Sequence, residues 1–364
     1  KKQIANVPNA LAKQMLKEKL DVESADYVRK LGVIQNSIYG VDIQPIASEI
    51  SKLRSFLSLV IDETIIDEAE NRGIQALPNL EFKFVTANTL VGLEEKDVSV
   101  IDFGQTDELQ DQLKTIRNQY LQAYGEEKVN LKKDFDNVQT KILKQEIAGG
   151  GHNKRALQLA SWKPFSSESN TWFDPFWMYG VEKFDIVIGN PPYVEAKKLK
   201  KVVVDLRDYQ VYSGTADLSS YFFERGLNLC NDNGNLGYIN TNKFFNTGYG
   251  KKVRQLLLEN NIKQIINFEQ VEVFDGVLVS SVIVLAEKSD INNESILYGG
   301  FYKLNNKEFR HKFIDIYKII QPYRRKYITE DEWSFANETE LIIKEKIESI
   351  CQELGDFEGV NIYR

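Results

Sequence analysis

The run Phe184–Gly189, "FDIVIG", is stopped at once by Asn190, Pro191, Pro192 and Tyr193. A short apolar run of this kind predicts a strand covered on both faces, the strand type of parallel sheets in α/β proteins. Each of the two prolines fixes its own φ and pushes the residue before it away from the helical region, so the strand cannot run on into a helix. The chain has only eight prolines in 364 residues, and two of them make one strand end stiff.

The surrounding pattern fits the same class. "SIYGVDIQ" is a short apolar run ending at Asp42. "PIASEISKLRSFLSLVID" follows with Ile46, Ile50, Leu53, Leu57 and Val60 on a 3.6-residue stripe, opened by a proline suited to a first helical turn. "LEFKFVTA" predicts a second strand, with Asn88 just past its end. After the prolines come helix "LSSYFFERGLNLC", turn "NDNGN", strand "LGYIN", helix "GKKVRQLLLENN", strand "IKQIINFEQ", and a turn with a strand in "VFDGVLVSSVIVLAEK". Alternating strands and helices predict an α/β fold with a doubly wound, mostly parallel sheet, and the "DGV" turn predicts an antiparallel hairpin at its edge. Ligands of such sheets sit at the carboxyl ends of the strands, where Asp42, Asn88 and Asn190 all fall.

Three stretches stand apart. Residues 1–38 predict an N-terminal helical segment, 39–290 the core, and 291–364 a linker leading into a further region. Within the core, residues 105–150 are charged and long-chained, with Leu109, Leu113, Ile116, Tyr120, Leu131, Phe135, Val138 and Ile142 at helical spacing, which predicts an inserted helical hairpin. "AGGGHN" closes it as a flexible helix exit, since no strand precedes the glycines and no GK[ST] follows them.

Composition excludes several classes. The net charge of -7 argues against a protein that coats nucleic acid along its whole surface, while "KKLKK" at 197–201, "KKVR" at 251–254 and "YRRK" at 323–326 are local basic clusters that read first as solvated surface. Cys230 and Cys351 are too few for a disulfide framework, and His152 and His311 are too far apart for a local zinc motif, so metal-free chemistry in the cytoplasm is expected. No window reaches the 18 or so apolar residues of a membrane span.

The chemistry follows from the stiff strand end. The Asn190 side-chain oxygen and the Pro191 carbonyl can converge on one planar NH2 group, and proline has no N–H to compete. Two acceptors draw on the amine hydrogens and help its nitrogen rehybridise for attack on an electrophile. Tyr193 offers a flat face for stacking, worth roughly 1–3 kcal/mol per base. The plainer alternative is a turn with a core tyrosine.

"NPPY" after "FDIVIG" resembles motif IV of amino-methyltransferases that use S-adenosylmethionine. Together with "YGVDIQPIASEISKLRSFLSLV", "WFDPFWMYG", "DLSSYFFERGLNL", "GNLGYINTNKFFNTGYGKKVRQLL" and "VFDGVLVSSVIVL", it resembles the DNA adenine-N6 methyltransferase core of single-chain (type IIG-like) restriction-modification enzymes, over roughly residues 30–290. The resemblance implies a class I S-adenosylmethionine-dependent fold and a double-stranded DNA partner carrying a specific adenine-containing site. It implies that Asp42 accepts from the cofactor ribose, that Ile43 packs on the cofactor adenine, and that Asn88 stands where the family has an acid reading the adenine amine. It places Asp217 near the cofactor methionine end. Asn190, Pro191, Pro192 and Tyr193 would hold the target amine, with Tyr193 and Phe274 stacking on a flipped-out base.

One family feature is missing. The glycine-rich loop of the D-x-A-x-G-x-G type belongs upstream of Asp42, where residues 1–39 hold the single glycine Gly32. The strand that carries it normally lies between those ending at Asp42 and Asn190, so a central gap is expected, with a chain that begins after the loop and binds the cofactor poorly alone. "LGDFEGVNIYR" resembles the entry to a target-recognition domain. Protein-glutamine and ribosomal-RNA amino-methyltransferases, and a non-catalytic DNA-binding module of a restriction-modification or phage-defence system, are the competing readings.

Overall fold

The computed structural model describes residues 25–61, 67–68, 72, 79–95, 105–120, 123–148, 153–166, 168–195, 206–276, 279–291, 293–313 and 315–351. The expectations for residues 1–24, for "KKLKK", for most of "AGGGHN" and for "LGDFEGVNIYR" lie outside them. The chain divides into two compact units, Lys1–Phe184 and Asp185–Arg364.

In the first unit, helix α1 (Ala25–Ser37) leads to strand β1 (Gly40–Asp42), helix α2 (Pro45–Val60) and strand β2 (Phe84–Thr86). Pro45 opens α2 as its pattern foretold. β1 and β2 pair in parallel, with Gly40 opposite Phe84 and Asp42 opposite Thr86. The absence of a side chain at Gly40 is required here, because a Cβ would stand 2.7 Å from the Phe84 ring. β2 is shorter than "LEFKFVTA" suggests, since Lys83 N and Phe84 N both bond back to the Leu80 carbonyl and turn the chain before the strand starts.

The charged stretch forms two helices, α3 (Gln105–Tyr120) and α4 (Gly125–Ala148), with Gly125 at φ +56 in the left-handed region where glycine has no Cβ clash. Leu131, Phe135, Val138 and Ile142 face inward from α4 and meet a cage of rings: Phe135, Phe82, Trp162 and Phe165 touch edge to face. Helices α5 (Lys154–Ser161) and α6 (Pro175–Tyr179) complete the unit, each with a side-chain N-cap, from Asn153 and Asp174.

The second unit is built on six strands: β3 (Phe184–Gly189), β4 (Cys230–Thr241), β5 (Asn261–Glu269), β6 (Ser281–Glu287), β7 (Ser295–Tyr302) and β8 (Gln321–Arg324). Their order is β3-β4-β6-β5-β7-β8. β6 runs antiparallel to both β4 and β5, β7 is parallel to β5, and β8 is antiparallel to β7. The expected antiparallel hairpin is β5–β6, but β7 and β8 continue the sheet beyond it, so it is not at the edge. "NDNGN" does not break the chain either. It lies within β4, which starts directly after helix α7 (Leu218–Leu229), with Asn233 taking up the kink at φ 63.

Helix α8 (Gly250–Leu258) joins β4 to β5 after a 3₁₀ turn at Asn242–Phe245. Gly250 has to be glycine, because a Cβ would fall 2.1 Å from the Phe244 carbonyl oxygen. Helices α9 (Asn306–Phe313), α10 (Ile316–Ile319) and α11 (Glu338–Ile350) follow β7 and β8. α11 opens with a full capping box, Asn337 and Glu340 bonding each other's backbone N–H.

β3 departs from expectation. Its apolar run predicts burial, yet Ile186 and Ile188 are 67% and 80% exposed. β3 lies at an edge: among the described residues β4 is its only strand neighbour, as β2 is for β1, and these eight strands form two separate sheets.

Candidate functional site

In the second unit the site starts at the carboxyl end of β3. Gly189 lets the strand close on Tyr238 of β4, whose ring would meet a Cβ there at 3.0 Å. Asn190 is then exposed, Pro191 buried and Tyr193 half-buried. Val194 N bonds to the Pro192 carbonyl, making a tight turn, and Leu218 N at the start of α7 bonds to the Val194 carbonyl at 2.9 Å. The loop is therefore stiffened from within by two prolines and pinned from outside by a helix. Burial pushes the Tyr193 phenol up, and Ser281 of β6 draws it partly back without meeting the geometry of a hydrogen bond. No aromatic ring lies against Tyr193 among the described residues.

Asp217 takes the N-cap position of α7, yet its carboxylate does not cap the helix. It is buried and turns to a phenol and an ammonium instead. Tyr249 donates to Oδ2 at 3.2 Å, and Lys243 Nζ lies 3.4 Å from the same oxygen. Burial and this carboxylate together push the Tyr249 phenol up. Lys243 also reaches Glu195 at 3.6 Å, so one ammonium bridges the proline loop and the α7 start. Asn240, fully buried at the end of β4, donates to the Ser219 carbonyl and accepts from Thr241 N, which holds the same helix start. Phe274 lies between β5 and β6 and is 39% exposed.

In the first unit Asp42 ends β1 and is exposed. Its Oδ1 accepts from Gln44 N at 2.7 Å, and its carbonyl accepts from Ala87 N at 2.9 Å, so the turn into α2 aims the carboxylate outward. Ile43 beside it is 57% exposed, an apolar surface next to an acid. Asn88 follows β2; its Oδ1 accepts from Leu90 N at 3.2 Å and its N–H bonds to the Asn170 carbonyl. Asn170 in turn donates twice to the Thr86 carbonyl, and Ser48 and Thr86 bond each other under the strand. Sequence reasoning missed this Asn170 clamp because it depends on a contact 84 residues apart.

Asp42, Ile43 and Asn88 thus belong to the first unit, and Asn190, Pro191, Pro192, Tyr193, Asp217 and Phe274 to the second. Sequence reasoning also left out Lys243, Glu195 and Tyr249. All three lie in or beside quoted blocks, but a lysine within "TNKFF" carries no signal until the fold brings it to Asp217. Among the described residues no group of three or more His, Cys, Asp or Glu side chains is placed to hold a metal, and no helix is long and apolar enough to cross a membrane.

Residues 36–274 match the family described as Eco57I restriction-modification methylase. A relative from Methanocaldococcus jannaschii, a putative type II restriction enzyme and methyltransferase (RM.MjaORFECS2P), is 27% identical over 93% of this chain and 33% of its own length. The Escherichia coli type II restriction enzyme and methyltransferase RM.Eco57I is 26% identical over 49% of this chain and 18% of its own. Among solved structures, the ATP-dependent Type ISP restriction-modification enzyme LlaBIII bound to DNA matches 90% of this chain and 20% of that one, with a TM-score of 0.49 and 13% identity. The chain spans a third or less of the length of these relatives. With the family match covering more than half of its residues, the chain belongs to the Eco57I restriction-modification methylase family.

Proposed function

We propose that this chain carries the amine-binding half of a DNA adenine-N6 methyltransferase of a restriction-modification system, acting on an adenine flipped out of double-stranded DNA. The observation that carries this reading is the stiff Asn190–Tyr193 loop, pinned through Val194 and Leu218 to the start of α7. Rigidity matters because an acceptor pair that reorganises during reaction loses much of what a preorganised one contributes.

The Asn190 side-chain oxygen and the Pro191 carbonyl accept the two amine hydrogens, leaving the nitrogen lone pair free to leave ring conjugation. S-adenosylmethionine, when bound, supplies the electrophilic methyl carbon. With its hydrogens held by this acceptor pair, the amine would keep its lone pair directed at that carbon and lose its surplus proton to water. Tyr193 holds the base by one face and Phe274 by the other. Asp217, locked by Lys243 and Tyr249, keeps the loop and α7 in register.

On the cofactor side, the exposed Asp42 carboxylate with exposed Ile43 beside it fits a ribose diol and an adenine face. Asn88 fits less well, since its oxygen already accepts from Leu90 N. The 364-residue chain holds no glycine-rich loop for the methionine end. The chain alone is therefore expected to bind S-adenosylmethionine weakly or not at all, and isothermal titration giving a low-micromolar Kd would overturn that expectation.

The test of the reading is tritiated-methyl transfer by the natural full-length protein on DNA, RNA and a release factor. Label is expected at adenine N6 of DNA, with Asn190→Ala lowering the rate by about a hundredfold or more, the scale of losing one preorganised polar contact. Undiminished transfer by Asn190→Ala, or label on RNA or the release factor instead, would sink it.

A further inference from the structure

At the far end of the second unit's sheet, away from β3, the fold builds a second aromatic site. Side chains alternate along β7, so Phe301 points into the core with Phe268 and Phe309, while Tyr298 and Tyr302 share the opposite face. Between these two stands Gly300. A Cβ there would lie 2.4 Å from the Tyr302 hydroxyl and 2.7 Å from its ring, so the glycine is what lets Tyr302 fold back along the strand until the two phenols bond at 2.8 Å. Tyr323 of β8 and Tyr327 after it extend the wall, with ring centroids 5.9 Å from Tyr298 to Tyr323 and 6.2 Å from Tyr323 to Tyr327. The wall borders a cavity of about 480 Å³, within the roughly 300–1,000 Å³ of small-molecule sites.

Phe335 shows what this wall accepts. Its ring lies on Tyr298 at 4.2 Å and 5° from parallel, the only such close flat stack among the described residues. Its backbone sits at φ 46, a region a phenylalanine seldom adopts and one that holds only where the surroundings impose it. The rim is polar: the amides of Gln321 and Asn337 and the guanidinium of Arg324 border the same cavity, as does Glu345. Beside the cavity, Lys326 reaches Glu345 at 2.6 Å, so the carboxylate of the rim is paired.

We propose that this cavity binds an unpaired nucleobase, stacked on the exposed ring of Tyr302 beside the half-buried Tyr323 and Tyr327, and read along its edge by the Gln321 amide and the Asn337 side-chain NH2, with its phosphate at Arg324. Each part answers one feature of a nucleotide: flat faces, an edge of donors and acceptors, and an anion. A proline-rich peptide would also suit an aromatic groove but leaves the amides and the guanidinium without a role. The site lies outside residues 36–274 and uses none of the groups assigned to methyl transfer.

The test uses the 364-residue chain carrying Tyr193→Ala, so that stacking at the proline loop cannot contribute. It is titrated into a single-stranded octadeoxynucleotide with a central 2-aminopurine, whose fluorescence falls on stacking. A saturable fall is expected, about tenfold weaker after Tyr302→Ala or Tyr327→Ala and after Gly300→Ala, which keeps every ring but displaces Tyr302. Tyr302→Phe, which keeps the ring, is expected to stay within about threefold. Should Tyr302→Ala melt early, Tyr327→Ala and Gly300→Ala carry the comparison. Displacement by free dAMP at equal nucleotide concentration assigns the site to a free nucleotide, and its failure to displace assigns it to a base on a strand; both keep the proposal. No fall in fluorescence, a fall unchanged in all ring variants, or binding of a polyproline peptide in place of the oligonucleotide would overturn it.

Discussion

β3 and β6 are written in the same alphabet, "FDIVIG" and "SVIVLAE", and meet opposite fates. β6 lies between β4 and β5, and Val282 and Val284 are fully buried; among the described residues β3 has one strand neighbour, and its Ile186 and Ile188 stand mostly in solvent. An apolar run therefore specifies that a segment will be a strand, while its burial is decided by which neighbours arrive. β1 repeats the lesson in the first unit: among the described residues it is flanked only by β2, and α2 leaves Ile46, Ile50, Leu53 and Leu57 about half exposed or more.

The largest effect that can break this comparison comes from charge placed in the interior strand. Val284→Lys would bury an ammonium with no partner, costing more than about 4 kcal/mol, enough to abolish cooperative unfolding of the second unit in urea. Ile265→Ala in neighbouring β5, also fully buried, removes packing without adding charge and is expected to cost about 2–5 kcal/mol. If either cost under about 1 kcal/mol, the interior of the six-stranded sheet would be less well packed than its burial indicates.

What the sequence made legible follows the same division. The strand–proline boundary at Asn190, the proline start of α2 and the inward stripe of α4 are local patterns, each set by residues a few positions apart, and each is present. Three features were not legible because they depend on distant partners. The exposure of Ile188 depends on what flanks β3. The tie of Asp217 to Lys243 and Tyr249 joins residues 26 and 32 positions apart only once β4 and α8 are in place. β7 and β8, read in sequence as linker, carry two consecutive glycines in "SILYGGFY" that weaken a strand pattern until Tyr302 is seen folded over one of them.

A smaller effect sharpens the comparison from the first unit. Where the interior strands of the second unit bury apolar side chains, the turn before β2 buries Lys83, whose ammonium lies 3.7 Å from the centroid of the Tyr39 ring. Burial holds this lysine down to about 8. Below pH 8 both folded and unfolded chains carry the proton, and the buried charge weighs against folding. Between about 8 and the ordinary lysine value the unfolded chain binds a proton that the folded one does not, so stability rises with pH. Above pH 10 the tyrosines held up by burial, Tyr39, Tyr120 and Tyr179, work the other way. Thermal melts from pH 7.5 to 9.5 are expected to show a rising Tm that flattens in Lys83→Met, with the variant the more stable at pH 7.5. A Tm independent of pH in the unmodified chain would mean that Lys83 reaches water.

The smallest expected effect is the most telling about β3. Ile188→Lys places on an exposed strand face the same side chain that should unfold the protein at Val284. In the 364-residue chain it is expected to change stability by less than about 0.5 kcal/mol, because an apolar side chain already in water has little transfer free energy to lose and a lysine there keeps its hydration. The same substitution in the natural full-length protein asks a different question of the same residue. A loss of several kcal/mol there would show that another segment covers β3 in that context, as the burial expected of its apolar run requires. Equal, small losses in both would show that the strand works exposed, with Asn190 and the two prolines depending on β4 and α7 alone for their position.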